Sequence, residues 1–167
     1  MDKVIAAIET LFQEFKQGAA DRIEKLPQSG SDRIYFRIYY QGETFIATYN
    51  LHAKENRTFI AFSKHFKKAG LPVPEVFAVN EEDTIYLQED LGTASLLNEL
   101  EQHGHGDRAY GLFQKSLNAL AEVQIKGDTG LDYSLCLTAK EFGKQAIMSD
   151  LLYFKYYFLD TLQLPYD

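Results

Sequence analysis

Apolar and polar residues alternate from Arg33 to Tyr40. Ile34, Phe36 and Ile38 point one way, while Arg33, Tyr35, Arg37 and Tyr39 point the other. That period of two predicts a strand with one buried face. Gln41-Gly42-Glu43 turns the chain, and Thr44–Tyr49 returns as a second strand. Elsewhere the period is helical. Val4, Ile5, Ile8, Leu11, Phe12 and Phe15 share one stripe, predicting an amphipathic helix over Asp2–Gln17 that Gly18 can end. Asp21–Gln28 reads as a first strand, held to an edge or cut short by Pro27. Glu55, Phe59, Phe62 and Phe66 share a face of a second helix, over Ala53–Ala69, and that face is expected to meet the sheet. Gly70 caps this helix, and Leu71-Pro72-Val73-Pro74 forces an extended connection. Glu75–Asn80 and Thr84–Glu89 then pair as a hairpin around Glu81-Glu82-Asp83.

After Gly92 the pattern turns helical. Ser95–Glu101 is a short helix, and His103-Gly104-His105-Gly106 breaks it. Asp107 caps a helix to about Lys126. Gly127–Leu135 reads as loop. Thr138 caps a last helix, with Glu141 completing a capping box. From Leu151 to Leu164 that helix is apolar or aromatic on nearly every side, the mark of a helix lying between other elements. Two expectations follow. Either residues 147–164 self-associate, or further chain beyond Asp167 covers them; the second is favoured. The fold class expected is α+β: a five-stranded antiparallel sheet plus helix over residues 1–92, then the first helices of an incomplete helical lobe over residues 93–167.

Composition narrows the function. The chain has 167 residues, which suits one domain or one lobe and part of another. It is 46% hydrophobic and 14% aromatic, enough to bury a core. A net charge of -7 argues against nucleic acid as a partner, and Arg33 and Arg37 beside Tyr35 and Tyr39 are too few to make a basic stripe. The single cysteine, Cys136, excludes an internal disulfide framework and reads as structural. The amino terminus lacks a basic and then apolar leader pattern, and no apolar run reaches membrane-spanning length. A soluble, cytoplasmic protein with no membrane partner is expected.

The order strand, short polar loop, strand, helix, two strands and then helices is that of a kinase-type nucleotide-binding lobe. Backbone N–H groups and hydroxyls of Ser29, Gly30, Ser31 and Asp32 are placed to close over phosphates, although one glycine is far short of a full glycine-rich loop. The second hairpin strand carries no lysine for the phosphates, so a cation has to come from elsewhere, with Arg33 and Arg37 the candidates. Gln88, Glu89, Asp90 and Leu91 form a candidate hinge for an adenine edge, and Ala47 is small enough to admit the ring against the sheet. Two roles are open to Glu55: orienting a cation or phosphate-contacting group, or a first-turn carboxylate favoured by the helix dipole. His105-Gly106-Asp107 is rejected as a catalytic loop, because position 112 is Leu where a magnesium-binding Asn would stand.

Gly30-Ser31-Asp32-Arg33-Ile34-Tyr35-Phe36-Arg37, Lys54-Glu55-Asn56, Gly70-Leu71-Pro72-Val73-Pro74-Glu75 and Tyr86-Leu87-Gln88-Glu89-Asp90-Leu91-Gly92 together resemble the aminoglycoside-phosphotransferase and choline-kinase-like family. The similarity is strongest to the amino-sugar anomeric kinases that act on N-acetylmuramate and N-acetylglucosamine. The resemblance implies ATP held between a sheet lobe and a helical lobe, with magnesium and a catalytic Asp in the latter and a sugar hydroxyl as acceptor. It implies that residues 29–32 cover the phosphates, Glu55 is the helix carboxylate and 88–91 the hinge. The chain stops before the family's catalytic loop and magnesium motif, so no catalytic or metal-binding residue is assigned within it. It is expected to be inactive alone. The alternative is a non-catalytic interaction module that dimerises through residues 147–164.

Overall fold

The computed structural model describes residues 1–28, 30–137, 140–163 and 165. Two compact units divide at Leu131/Asp132, so the handover to helices after Gly92 falls inside the first unit. The first unit holds α1 (Asp2–Lys16), β1 (Arg22–Lys25), β2 (Ile34–Tyr40), β3 (Glu43–Tyr49), α2 (Ala53–Lys68), β4 (Val76–Val79), β5 (Ile85–Glu89), α3 (Leu96–His103) and α4 (Asp107–Lys126). The five strands form one antiparallel sheet in the order β1-β2-β3-β5-β4. The expected α+β class with a five-stranded antiparallel sheet is therefore present.

Local chemistry explains the elements. The β2–β3 hairpin closes through Gln41 (φ 50°) and Gly42 (φ 85°), both left-handed, the pairing a tight two-residue hairpin turn requires. β1 is shorter than expected, yet its pairing runs past both ends: the Asp21 N–H donates to Tyr39 O and the Leu26 N–H to Tyr35 O, each at 2.8 Å. Pro27, with no N–H to donate, stops it there. Ser95 and Asn98 form a reciprocal capping box at the start of α3. Gly106 rather than Asp107 is the N-cap of α4, and Asp107 is its first residue.

The pleat sorts side chains onto two faces. Phe36, Ile38, Phe45, Ala47, Ile85 and Leu87 point to one, where α1 covers them with Ile8, Leu11 and Phe12. Phe12 has no exposed surface and sets its ring against Tyr40 at 5.4 Å and Phe45 at 5.5 Å. Each such side chain contributes roughly 1.5–3 kcal/mol on full burial. A bulge in β4 between Val76 and Ala78 turns both Phe77 and Ala78 toward this core. Phe77 stacks on Phe15 at 5.4 Å.

α2 lies on the opposite face, where Phe59 tilts against Tyr86 at 5.2 Å. Its buried residues are Asn56, Ile60 and Ser63. The expected stripe is thus rotated: Glu55, Phe62 and Phe66 are only partly buried. A polar residue can take the deepest position because the Asn56 amide is fully used. Its Nδ2 donates to Asn50 O (2.8 Å) and Asp83 O (2.7 Å).

In the second unit a 3-10 turn, Tyr133–Leu135, precedes α5 (Lys144–Phe154), which continues as a π-helical turn over Lys155–Leu159. The predicted cap Thr138 lies outside the described residues. The helix begins after Gly143, so Glu141 precedes it and completes no capping box. Stacked pairs Tyr153–Tyr157 (4.5 Å) and Phe154–Phe158 (5.0 Å) line its surface. Among the described residues no helix is long and apolar enough to cross a membrane.

Candidate functional site

The sheet face away from α1 is built from Tyr35 and Arg37 of β2, Ile46 and Thr48 of β3, and Tyr86 and Gln88 of β5. Arg33 enters this face just before β2. Its Nη2 donates to Glu55 Oε1 at 2.6 Å, and its guanidinium lies over the Phe59 ring. The other Glu55 oxygen, Oε2, accepts from Asn50 Nδ2 at 3.0 Å. Burial works against the Arg33 charge, but Tyr86, Tyr35 and Glu55 around it outweigh that and raise its pKa above the usual value.

Arg37 is committed elsewhere. It forks onto Asp90, Nε to Oδ2 at 2.6 Å and Nη2 to Oδ1 at 3.1 Å, and Nη2 reaches Gly92 O at 3.3 Å. The two side chains are only 13% and 4% exposed. Asp90 Oδ1 also accepts from the Gly92 N–H at 2.9 Å. Burial disfavours the Asp90 charge, yet donation from Arg37, Gly92 and Thr44 prevails and holds its carboxyl below the usual range. Of the two candidate cations, Arg37 therefore serves as a latch between β2 and the chain leaving β5, while Arg33 pairs with Glu55 on the α2 side.

Three buried polar atoms on this face have no hydrogen-bond partner among the described residues: Arg33 Nε, Thr48 Oγ1 and Gln88 Oε1. All three lie beneath the chain's own side chains, out of reach of solvent. The face is otherwise tightly filled. Burial pushes the Tyr86 hydroxyl up to about 12, with Thr48 and Arg33 pulling the other way.

The remaining predicted site residues fall as follows. Ser29 lies outside the described residues. Gly30, Ser31 and Asp32 form an exposed bend immediately before Arg33, where Gln28 Nε2 donates to Ser31 O. Ala47 is a correction. It is fully buried in the core under α1, paired with Phe36 and Leu87, so it cannot admit a ring to the other face. Glu89 is occupied: its carboxylate takes Lys67 Nζ (2.8 Å) and the Glu75 N–H (3.1 Å), and its own N–H donates to Glu75 O. Asp90 is held by Arg37, which leaves its side chain structural. Leu91 has left the sheet and is 69% exposed. Sequence reasoning missed Asn50 and Asn56, buried polar residues flanking the cap of α2; the Asn-x-His cap region was the only available sign.

A concavity of about 610 Å³ opens between α3 and α4, lined by Ala94, Leu96, Glu99, Arg108 and Leu112 among others. Glu99 and Arg108 neutralise one another across its rim at 2.7 Å. His105 and Asp107 are exposed. Among the described residues no group of three His, Cys, Asp or Glu side chains is arranged to hold a metal ion. No protein-family model and no curated protein matches the chain. What the sheet face offers chemically is a cation fixed by a carboxylate, Arg33 on Glu55, with the Arg33 side chain 22% exposed. That suits capture of an anionic, hydrogen-bonding ligand.

Proposed function

We propose that the chain is the ATP-binding amino-terminal part of a small-molecule kinase, of the kind that passes the γ-phosphate to an amino-sugar hydroxyl. The observation that carries this reading is the Arg33–Glu55 pair at 2.6 Å, in which the Arg33 side chain stays 22% exposed. In protein kinases a strand lysine held by a helix glutamate contacts the phosphates. Here a cation from the strand entrance meets a first-turn carboxylate of the following helix, which supplies the same charges without a strand lysine. The bend at Gly30–Asp32 is contiguous with that cation. The adenine edge belongs at the backbone of Asp90–Leu91, where the chain leaves β5, with Gln88 on the ligand-facing side of the sheet. This reading assigns no residue of the chain to magnesium, the catalytic carboxylate or the sugar, and expects nucleotide binding without turnover.

A thermal-shift titration tests this. ATP with magnesium raises the melting temperature of the 167-residue chain, and Arg33→Met abolishes the shift. An unshifted melting curve at millimolar ATP, or an equal shift in Arg33→Met, overturns the reading. One observation favours a second reading, a module that self-associates. Tyr153, Tyr156 and Tyr157 of the last helix are 66%, 57% and 69% exposed, more apolar surface than a lone monomer usually shows. That reading requires a concentration-dependent dimer by sedimentation and no nucleotide effect.

A further inference from the structure

Asn50 directly follows β3 and is 6% exposed. Its N–H donates to Thr84 O (3.0 Å), its backbone carbonyl accepts from Asn56 Nδ2 (2.8 Å), and its Oδ1 accepts from the His52 N–H (3.0 Å). Its Nδ2 serves two acceptors, Asn56 Oδ1 (3.1 Å) and Glu55 Oε2 (3.0 Å). Asn56 extends the network to Asp83 O in the β4–β5 turn. Three backbone segments thus meet here: the end of β3, the first turn of α2 and the β4–β5 turn.

The Asn56 bonds alone join those segments. The Asn50 amide does one thing more. It spends a donor on Glu55, fixing Oε2 while Arg33 takes Oε1. A glutamate gripped at both oxygens from different elements cannot rotate away, and the Arg33 guanidinium it carries inherits that constraint. We propose that Asn50 is a positioning residue: through Glu55 it holds the partly exposed Arg33 guanidinium in place, and so sets the strength of the phosphate contact. This rests on the reading of Arg33 as the phosphate-binding cation.

The test compares ATP with adenosine, which shares the base and ribose but has no phosphate, by NMR titration of the 167-residue chain. Asn50→Asp keeps the shape, removes both Nδ2 donors and sets a carboxylate against Glu55. Asn56→Ala cuts the join between segments and removes one acceptor of Asn50 Nδ2, but leaves the Asn50–Glu55 bond itself intact. Asn50→Asp is expected to weaken ATP about tenfold while leaving adenosine unchanged, the scale of one hydrogen bond to a charged group. Asn56→Ala is expected to lower the melting temperature and leave the ATP-to-adenosine affinity ratio unchanged. If the charge in Asn50→Asp prevents folding, Asn50→Ser makes the same comparison. An unchanged ratio in the Asn50 variants, or an equal change in Asn56→Ala, overturns the positioning role while ATP binding by the unmodified chain keeps the nucleotide site. Failure of the unmodified chain to bind ATP removes the nucleotide site and the positioning role together.

Discussion

Replacing Arg37 with methionine isolates the latch between β2 and the segment leaving β5. Met keeps most of the aliphatic volume and deletes the guanidinium. Three donated bonds go: two to Asp90 and one to Gly92 O. The carboxylate left behind is 4% exposed. Removing one partner of a buried pair costs about 3–5 kcal/mol, because the other charge stays buried without its counterion. Asp90 keeps the Gly92 N–H, so the low end applies, about 3 kcal/mol at pH 7. With a urea slope of roughly 1.5 kcal/mol/M, the midpoint falls by roughly 2 M. Adding Asp90→Asn to the Met variant removes the stranded charge and is expected to restore at least half of the loss. The pH dependence has a definite sign. In the parent the Asp90 pKa is depressed, so its stabilisation is present above the ordinary carboxylate range and lost as pH falls through the folded value. In the Met variant burial acts without the counterion and raises that pKa. The variant's deficit is therefore full at pH 7 and smaller near pH 4. A loss under about 1 kcal/mol, or a deficit that does not change with pH, would refute the account of this pair as a desolvated latch.

Three other outcomes are expected. Phe12→Ala opens a cavity where three aromatic rings converge and costs about 3–5 kcal/mol by chemical denaturation; a loss below 1 kcal/mol would mean α1 is not the cover of that face. In an alkaline absorbance titration one tyrosine ionises near pH 12, and Tyr86→Phe removes that step. Because the folded pKa is the raised one, stability is full below pH 10 and declines between about pH 10 and 12, by order of 2–3 kcal/mol; a flat profile there would contradict the burial of Tyr86. Gly127→Ala would place a Cβ 2.8 Å from Phe66 Cε1 and 2.3 Å from Val123 O, so the melting temperature drops, by the equivalent of roughly 1–3 kcal/mol. An unchanged melting temperature would show that this join between α2 and the end of α4 is slack.

Much of the sheet was legible because its signals are short-range. The alternation in β2 and the Gln41-Gly42 turn fix a hairpin and its register without help from the rest of the chain. Ala47 was misplaced because β3 is apolar on both faces: Phe45, Ile46 and Ala47 run together, so periodicity does not set the phase. Pairing does, since Ala47 lies opposite Phe36, a residue whose face the β2 pattern had already assigned. Glu55 was singled out on helical spacing, and its partner on the strand side, Arg33, was one of the two cations considered. Choosing between Arg33 and Arg37 required knowing that Asp90, 53 residues further on, returns to Arg37, a long-range contact that no local pattern encodes. The rotated face of α2 has the same origin. Asn56 outranks three phenylalanines for the deepest position only because backbone carbonyls from two distant turns converge on it.

The helix at the amino terminus has a consequence for how the molecule assembles. It is made before the residues it needs, which run from Phe36 to Leu87, and Phe15 finds its stacking partner in Phe77 of β4, an edge strand of the sheet. During synthesis α1 must wait, its greasy stripe uncovered, until the final hairpin has emerged. A slow, late-closing nucleus with early exposure to chaperones is what this topology dictates.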